Sequence, residues 1–102
     1  MFRLVLQFRP WEGRAFDDLV SVEDQLITAL KNVARVDGHD MGSGEANIFI
    51  DCMDPGRTLA RCMPIIEEEG LLSVFSAAHR PLDGDEYTRV WPKGDKSGFE
   101  VK

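Results

Sequence analysis

The chain has 102 residues, of which 43% are hydrophobic, with 18 acidic against 12 basic side chains and a formal net charge of −6. That length suits one hydrophobic core and leaves no room for a second, and the apolar fraction is too high for a disordered chain. No apolar run approaches the ~20 residues that a bilayer-spanning helix needs, and Met1–Arg9 is too short and too alternating for a signal peptide. The expectation is a cytoplasmic, single-domain protein.

The charge is uneven. Residues 1–86 hold 16 acids and 8 bases, and residues 87–102 hold 2 acids and 4 bases. An acidic body repels polyphosphates, which argues against nucleic acid and suits a basic protein partner. Cys52 and Cys62 stand ten apart among apolar neighbours. That is neither a CxxC nor a zinc spacing, and two buried reduced thiols are expected.

Phe2, Leu4, Leu6 and Phe8 alternate with Arg3, Gln7 and Arg9, with Val5 among them, which predicts a strand ended by Pro10. The pattern then switches to a helical stripe of Phe16, Leu19, Val20, Glu23, Leu26, Ile27 and Leu30. Asp17 or Asp18 is the expected cap, with a later start at Ser21 as the alternative. Val33–Asp40 and Ala46–Met53 read as hairpin arms around Met41–Glu45, a turn with two glycines. In the second arm Ala46, Ile48, Ile50 and Cys52 form the core face, and Asn47, Phe49, Asp51 and Met53 form the other. Asp54-Pro55 opens a second helix with a favoured cap and a proline at the first position. Leu59, Cys62, Met63 and Ile66 are its stripe, Pro64 is expected to kink it, and Gly70 stops it. Residues 71–80 predict a fourth strand and Tyr87–Trp91 a short fifth. Residues 93–102 read as a loose polar tail.

The order β-α-β-β-α-β predicts an α+β, ferredoxin-like sandwich over residues 1–92, with an extra C-terminal edge strand. Its four main strands should lie in the order fourth, first, third, second, with both helices on one face. The register expected for the open face puts Val5, Phe49, Met53, Phe75 and Ala77 at its centre. Arg3, Gln7, Asp37, His39, Asn47, Asp51 and His79 form its rim. An apolar centre with a polar rim suits association with a partner or a second copy. The alternative is that the C-terminal segment folds back over it, with Trp91 as the plug.

Candidate chemistry centres on Asp37-Gly38-His39-Asp40 and the following Glu45 and Asn47. His39 with Asp37 could serve as a general base, whereas the plainer reading is a polar hairpin tip. His39 and His79 fall on outer strands roughly 14 Å apart, three strand spacings, too far to share one metal ion. No serine or cysteine stands in a recognised nucleophile motif, and Gly42-Ser43-Gly44 does not open a helix as a phosphate loop does. Neither a cofactor nor a metal is expected. Pro10–Arg14 does not match the arginine-bearing anion loop of acylphosphatases. Phe49 and Phe75 imitate the aromatics of RNA-recognition modules, but no flanking bases accompany them.

The stretch Val36–Ile50, with its D-G-H and G-x-G-E-x-N elements, resembles a group of small bacterial proteins of uncharacterised activity. Arg80 and Tyr87–Pro92 are also similar. The resemblance implies a bacterial, cytoplasmic, single-domain protein and carries no catalytic residue. By size and acidity alone the chain is also similar to immunity proteins that neutralise toxins. The functional expectation is a non-catalytic protein-binding module meeting a basic partner through Asp37, His39, Asp40, Glu45, Asn47, Phe49, Asp51, Phe75 and His79. The alternatives are a dimeric regulator that binds a small molecule and, less favoured, an enzyme using His39 and Asp37.

Overall fold

The computed structural model describes residues 1–95 and 97–101. Five antiparallel strands and two helices build an α+β fold: β1 (Phe2–Phe8), α1 (Phe16–Ala29), β2 (Ala34–Gly42), β3 (Glu45–Cys52), α2 (Pro55–Glu68), β4 (Phe75–Pro81) and β5 (Thr88–Trp91). The strands lie in the order β2-β3-β1-β4-β5. The first four therefore have the expected neighbours. β5 extends the sheet beyond β4, so the five-strand order is not that of a four-stranded ferredoxin-like sandwich.

The even-numbered residues of β1 and β3 face the helices. Leu4, Leu6, Phe8, Ala46, Ile48 and Ile50 are fully buried with Leu19, Leu26, Cys62 and Ile66 from the helices. Among the described residues, no helix is long and apolar enough to cross a membrane.

Local chemistry explains most element ends. The Asp54 carboxylate accepts from Arg57 N at 3.1 Å and Pro55 takes the first turn of α2, as the Asp-Pro signal predicts. α2 runs on through Pro64, which lies on its exposed side. The residue flanking α1 is Ala15, which has no side chain to cap with. Asp18, three residues on, accepts instead from Ala15 N at 3.3 Å. The β2–β3 turn is the pair Ser43-Gly44, with φ of 54° and 75°. Positive φ at both residues matches the twist of paired strands.

Four face assignments need correction. β4 is preceded by a 3-10 turn, Leu72–Val74, and its register pairs Leu4 with His79, Leu6 with Ala77 and Phe8 with Phe75. Phe75, Ala77 and His79 therefore face the helices, not the open side. Residues 71–80 are apolar on both faces of the alternation, so the pattern had no polar side to orient it. His39 also faces the helices, because Asp37 is an extra residue in β2: Val36 pairs with Ile50 and Gly38 with Phe49. A bulge of one residue moves every later side chain to the opposite face.

Candidate functional site

The open face of the sheet carries Arg3, Val5 and Gln7 from β1, Asn47, Phe49 and Asp51 from β3, and Ala78 and Arg80 from β4. Arg3 stands directly opposite Asp51 in the β1–β3 register. Its Nε donates to Asp51 Oδ1 at 2.9 Å, and its Nη2 donates to Asp37 Oδ2 at 2.8 Å. Arg35 Nη2 lies 2.9 Å from Asp51 and 3.0 Å from Asp37. The Arg3 hydrogen bond holds the Asp51 carboxyl below the usual carboxylate range, and it raises the Arg3 guanidinium in turn. The bulge that turns His39 away also places Asp37 within reach of both arginines. Two of the four acids expected to meet a basic partner are thus already neutralised within the chain.

A third acid, Glu45, is buried rather than displayed at the hairpin tip. Its Oε2 accepts from Gln7 Nε2 at 3.2 Å and from Asn47 Nδ2 at 2.9 Å. Gln7 Nε2 also donates to Asn47 Oδ1 and to the Glu100 carbonyl, each at 3.0 Å. Asp40 alone of the four remains exposed without an ion pair among the described residues.

The bond to Glu100 brings the tail onto this face. Arg89 donates to the Ser97 and Gly98 carbonyls at 3.3 and 2.9 Å, and the Phe99 ring sits 5.2 Å from the Tyr87 ring. Val5 and Ala78, although turned away from the helices, are fully buried. The face expected to be open is covered by Ser97–Val101. Phe99 is seated there, whereas Trp91 packs against Phe75. Lys96 and Lys102, part of the tail expected to be loose, lie outside the described residues.

His39 is held against α1. Its Nδ1 donates to the Glu23 carboxylate at 3.0 and 3.2 Å, and Phe16 meets the ring edge-on at 5.3 Å. A histidine fixed by a carboxylate is the base–orienter half of a catalytic unit. The pair does not include Asp37, which is on the other side of the sheet. The hydrogen bonds of His39 among the described residues reach no serine or cysteine. His79 is separated from His39 by β1 and β3. It packs edge-on against Phe2, and burial pushes its pKa down. Its buried Nδ1 has no hydrogen-bond partner among the described residues. Burial also raises both thiols, that of Cys62 to about 12, so neither is an activated nucleophile. Among the described residues, no three His, Cys, Asp or Glu side chains come together as a metal site would require.

No protein-family model and no curated protein matches this chain.

One exposed surface stands apart. On α1, Phe16, Val20, Glu23 and Ile27 form a line that reaches His39 on β2, an edge strand of the sheet. Phe16 is 49% exposed, Ile27 51% and the neighbouring Met41 of β2 42%. The broad apolar stripe read from the sequence thus divides. Leu19, Leu26 and Leu30, joined by Val22, enter the core, while Phe16 and Ile27 stay outside. The signal was its width: six apolar residues within fifteen, on two adjoining faces, exceed the single stripe a surface helix buries.

Proposed function

We propose that the chain is a non-catalytic protein-binding module that receives a basic partner protein on the flank formed by α1 and β2. The supporting observation is the composition of that flank. Phe16, Ile27 and Met41 are exposed apolar anchors, and α1 carries the exposed acids Asp17, Asp18 and Asp24 with no lysine or arginine. Apolar contact supplies affinity and the surrounding charge selects and steers a cationic partner. A second copy would set these acids against each other. The immunity-type reading keeps its basic partner and moves to a different surface, since Asp37 and Asp51 are tied to Arg3 and Arg35. We further propose that the fold is a ferredoxin-like sandwich extended by β5, which the run β4-β1-β3-β2 supports. The unpaired buried thiols support a reducing, cytoplasmic compartment.

The test is calorimetric titration with the products of adjacent genes at low and high salt. Binding that weakens as salt rises and is lost in the Phe16→Asp/Ile27→Asp double variant is the expected result. No binding, or binding that ignores the double variant, overturns the proposal.

A further inference from the structure

The face opposite the α1 flank holds an extended segment by contacts that do not depend on most of its sequence. Three donors on two side chains of the sheet grip main-chain carbonyls of the tail. Gln7 Nε2 reaches Glu100 O at 3.0 Å, Arg89 Nη2 reaches Gly98 O at 2.9 Å, and Arg89 Nε reaches Ser97 O at 3.3 Å. One side chain of the segment is anchored. The Phe99 ring lies 5.2 Å from the Tyr87 ring and 5.2 Å from the Arg89 guanidinium, while Arg80 stands 5.8 Å over the other ring of the pair, Tyr87. Carbonyl capture with one aromatic anchor is how proteins receive extended peptides. The seat is built from the sheet and its polar floor is pre-organised. Gln7 is held by Asn47 and Glu45, all three buried. A recess of about 310 Å³ lies between β5 and the described part of the segment.

We infer that this face is a peptide-binding site, filled in cis by the chain's own Ser97–Val101, and that its ligand in trans is the same segment of a second copy. The second copy is chosen because its tail carries the glycine, the aromatic ring and the carbonyl spacing that the site already grips. Residues 92–96 join β5 to the segment and span up to roughly 17 Å when extended, enough to reach across to a neighbour. A tethered segment works at an effective concentration of about millimolar, so the cis arrangement dominates in dilute solution. Reciprocal exchange of tails closes into a two-fold dimer in which each seat is filled as before.

The probe is the synthetic hexapeptide Ser-Gly-Phe-Glu-Val-Lys, titrated by NMR into the full chain and into its Phe99→Ala variant. In the variant the anchor is vacant and the carbonyl donors remain. We expect the variant to bind the peptide about tenfold more tightly than the wild type does, with shifts at Gln7, Tyr87 and Arg89. A peptide with alanine in place of phenylalanine should not bind. Sedimentation of the wild-type chain at about 1 mM, the range in which exchange competes, should show a dimer that Phe99→Ala lacks. If folded Phe99→Ala gains no affinity, or binds the alanine peptide equally well, the site is overturned. A wild-type chain that stays monomeric at that concentration overturns the exchange. Should Phe99→Ala fail to fold, Phe99→Leu serves in its place under the same criteria. The α1 flank takes no part in these measurements, so failure here leaves the basic-partner reading standing, and the reverse also holds.

Discussion

Arg3 and Asp51 face each other across β1 and β3, and their pairing decides what the chain offers to a partner. A carboxylate 9% exposed and held by two guanidiniums is part of the scaffold. Replacing Asp51 with Asn leaves Arg3 partly buried with a weaker acceptor. The expected loss is about 1.5–3 kcal/mol at neutral pH, the range for hydrogen bonds to charged groups, measured by denaturant unfolding. Because folding lowers the Asp51 pKa, its contribution is present above the unfolded value of 3.8 and disappears as pH falls through the folded one. Wild type and variant should therefore converge in acid. The position of Asp51 on the open face was legible from the alternation of Ala46–Met53. Its partner was not, since a cross-strand pair depends on register. His39 was misplaced for a related reason: one inserted residue, Asp37, reverses the period-two count and leaves no mark in composition.

The elements were legible where a side chain acts on its own backbone. Asp54-Pro55 announced α2, and the glycine-containing turn announced the hairpin. Elements defined by their neighbours were harder to read. The start of β4 was assigned to residue 71 because Leu71–Val74 is as apolar as the strand that follows, and the structure coils it into a 3-10 turn. The seed of α1 was sought among aspartates, whereas Ala15 flanks it and Asp18 serves from the third position. In α2, Pro64 sits ten residues into the helix and cannot donate to the Ala60 carbonyl. Both residues are exposed. The helix continues because its buried stripe of Leu59, Cys62 and Ile66 holds it. Pro64→Ala should then restore a hydrogen bond without disturbing the core. The expected gain is about 1–3 kcal/mol in unfolding free energy, bounded by the ~3 kcal/mol that proline costs inside a helix. An unchanged midpoint would mean that the helix is already adapted to the missing donor.

For the molecule as a whole, one continuous core joins both helices to β1, β3 and β4, with β2 and β5 packed against it, and holds Cys62 fully buried and Cys52 nearly so. Thiols so placed react only when the core opens, since burial raises both and disfavours the thiolate. Alkylation of the native chain should therefore be slow. The Cys62 rate should track the unfolding equilibrium as denaturant rises, and mass spectrometry after quenching will show it. Prompt labelling of Cys62 in native buffer would mean that α2 opens apart from the rest. The β-α-β-β-α-β order of elements predicted the neighbours of the four main strands. The covering of the second face was harder to read. Gln7, Arg89 and Phe99 come from the two ends of the chain and share no local pattern, so only the folded arrangement brings them together.

β2, one of the two edge strands, leaves its border of the sheet without a neighbour among the described residues, and it is there that Asp37 interrupts the pleat. A straight border would be a template on which chains could stack indefinitely; a kinked one with ionised side chains on either side of the kink is a poor template. The inserted aspartate that misleads the count of faces is thus also expected to make this border a poor template for a further strand. Deleting it should straighten the border and release Arg3 and Arg35 from one of their two carboxylates.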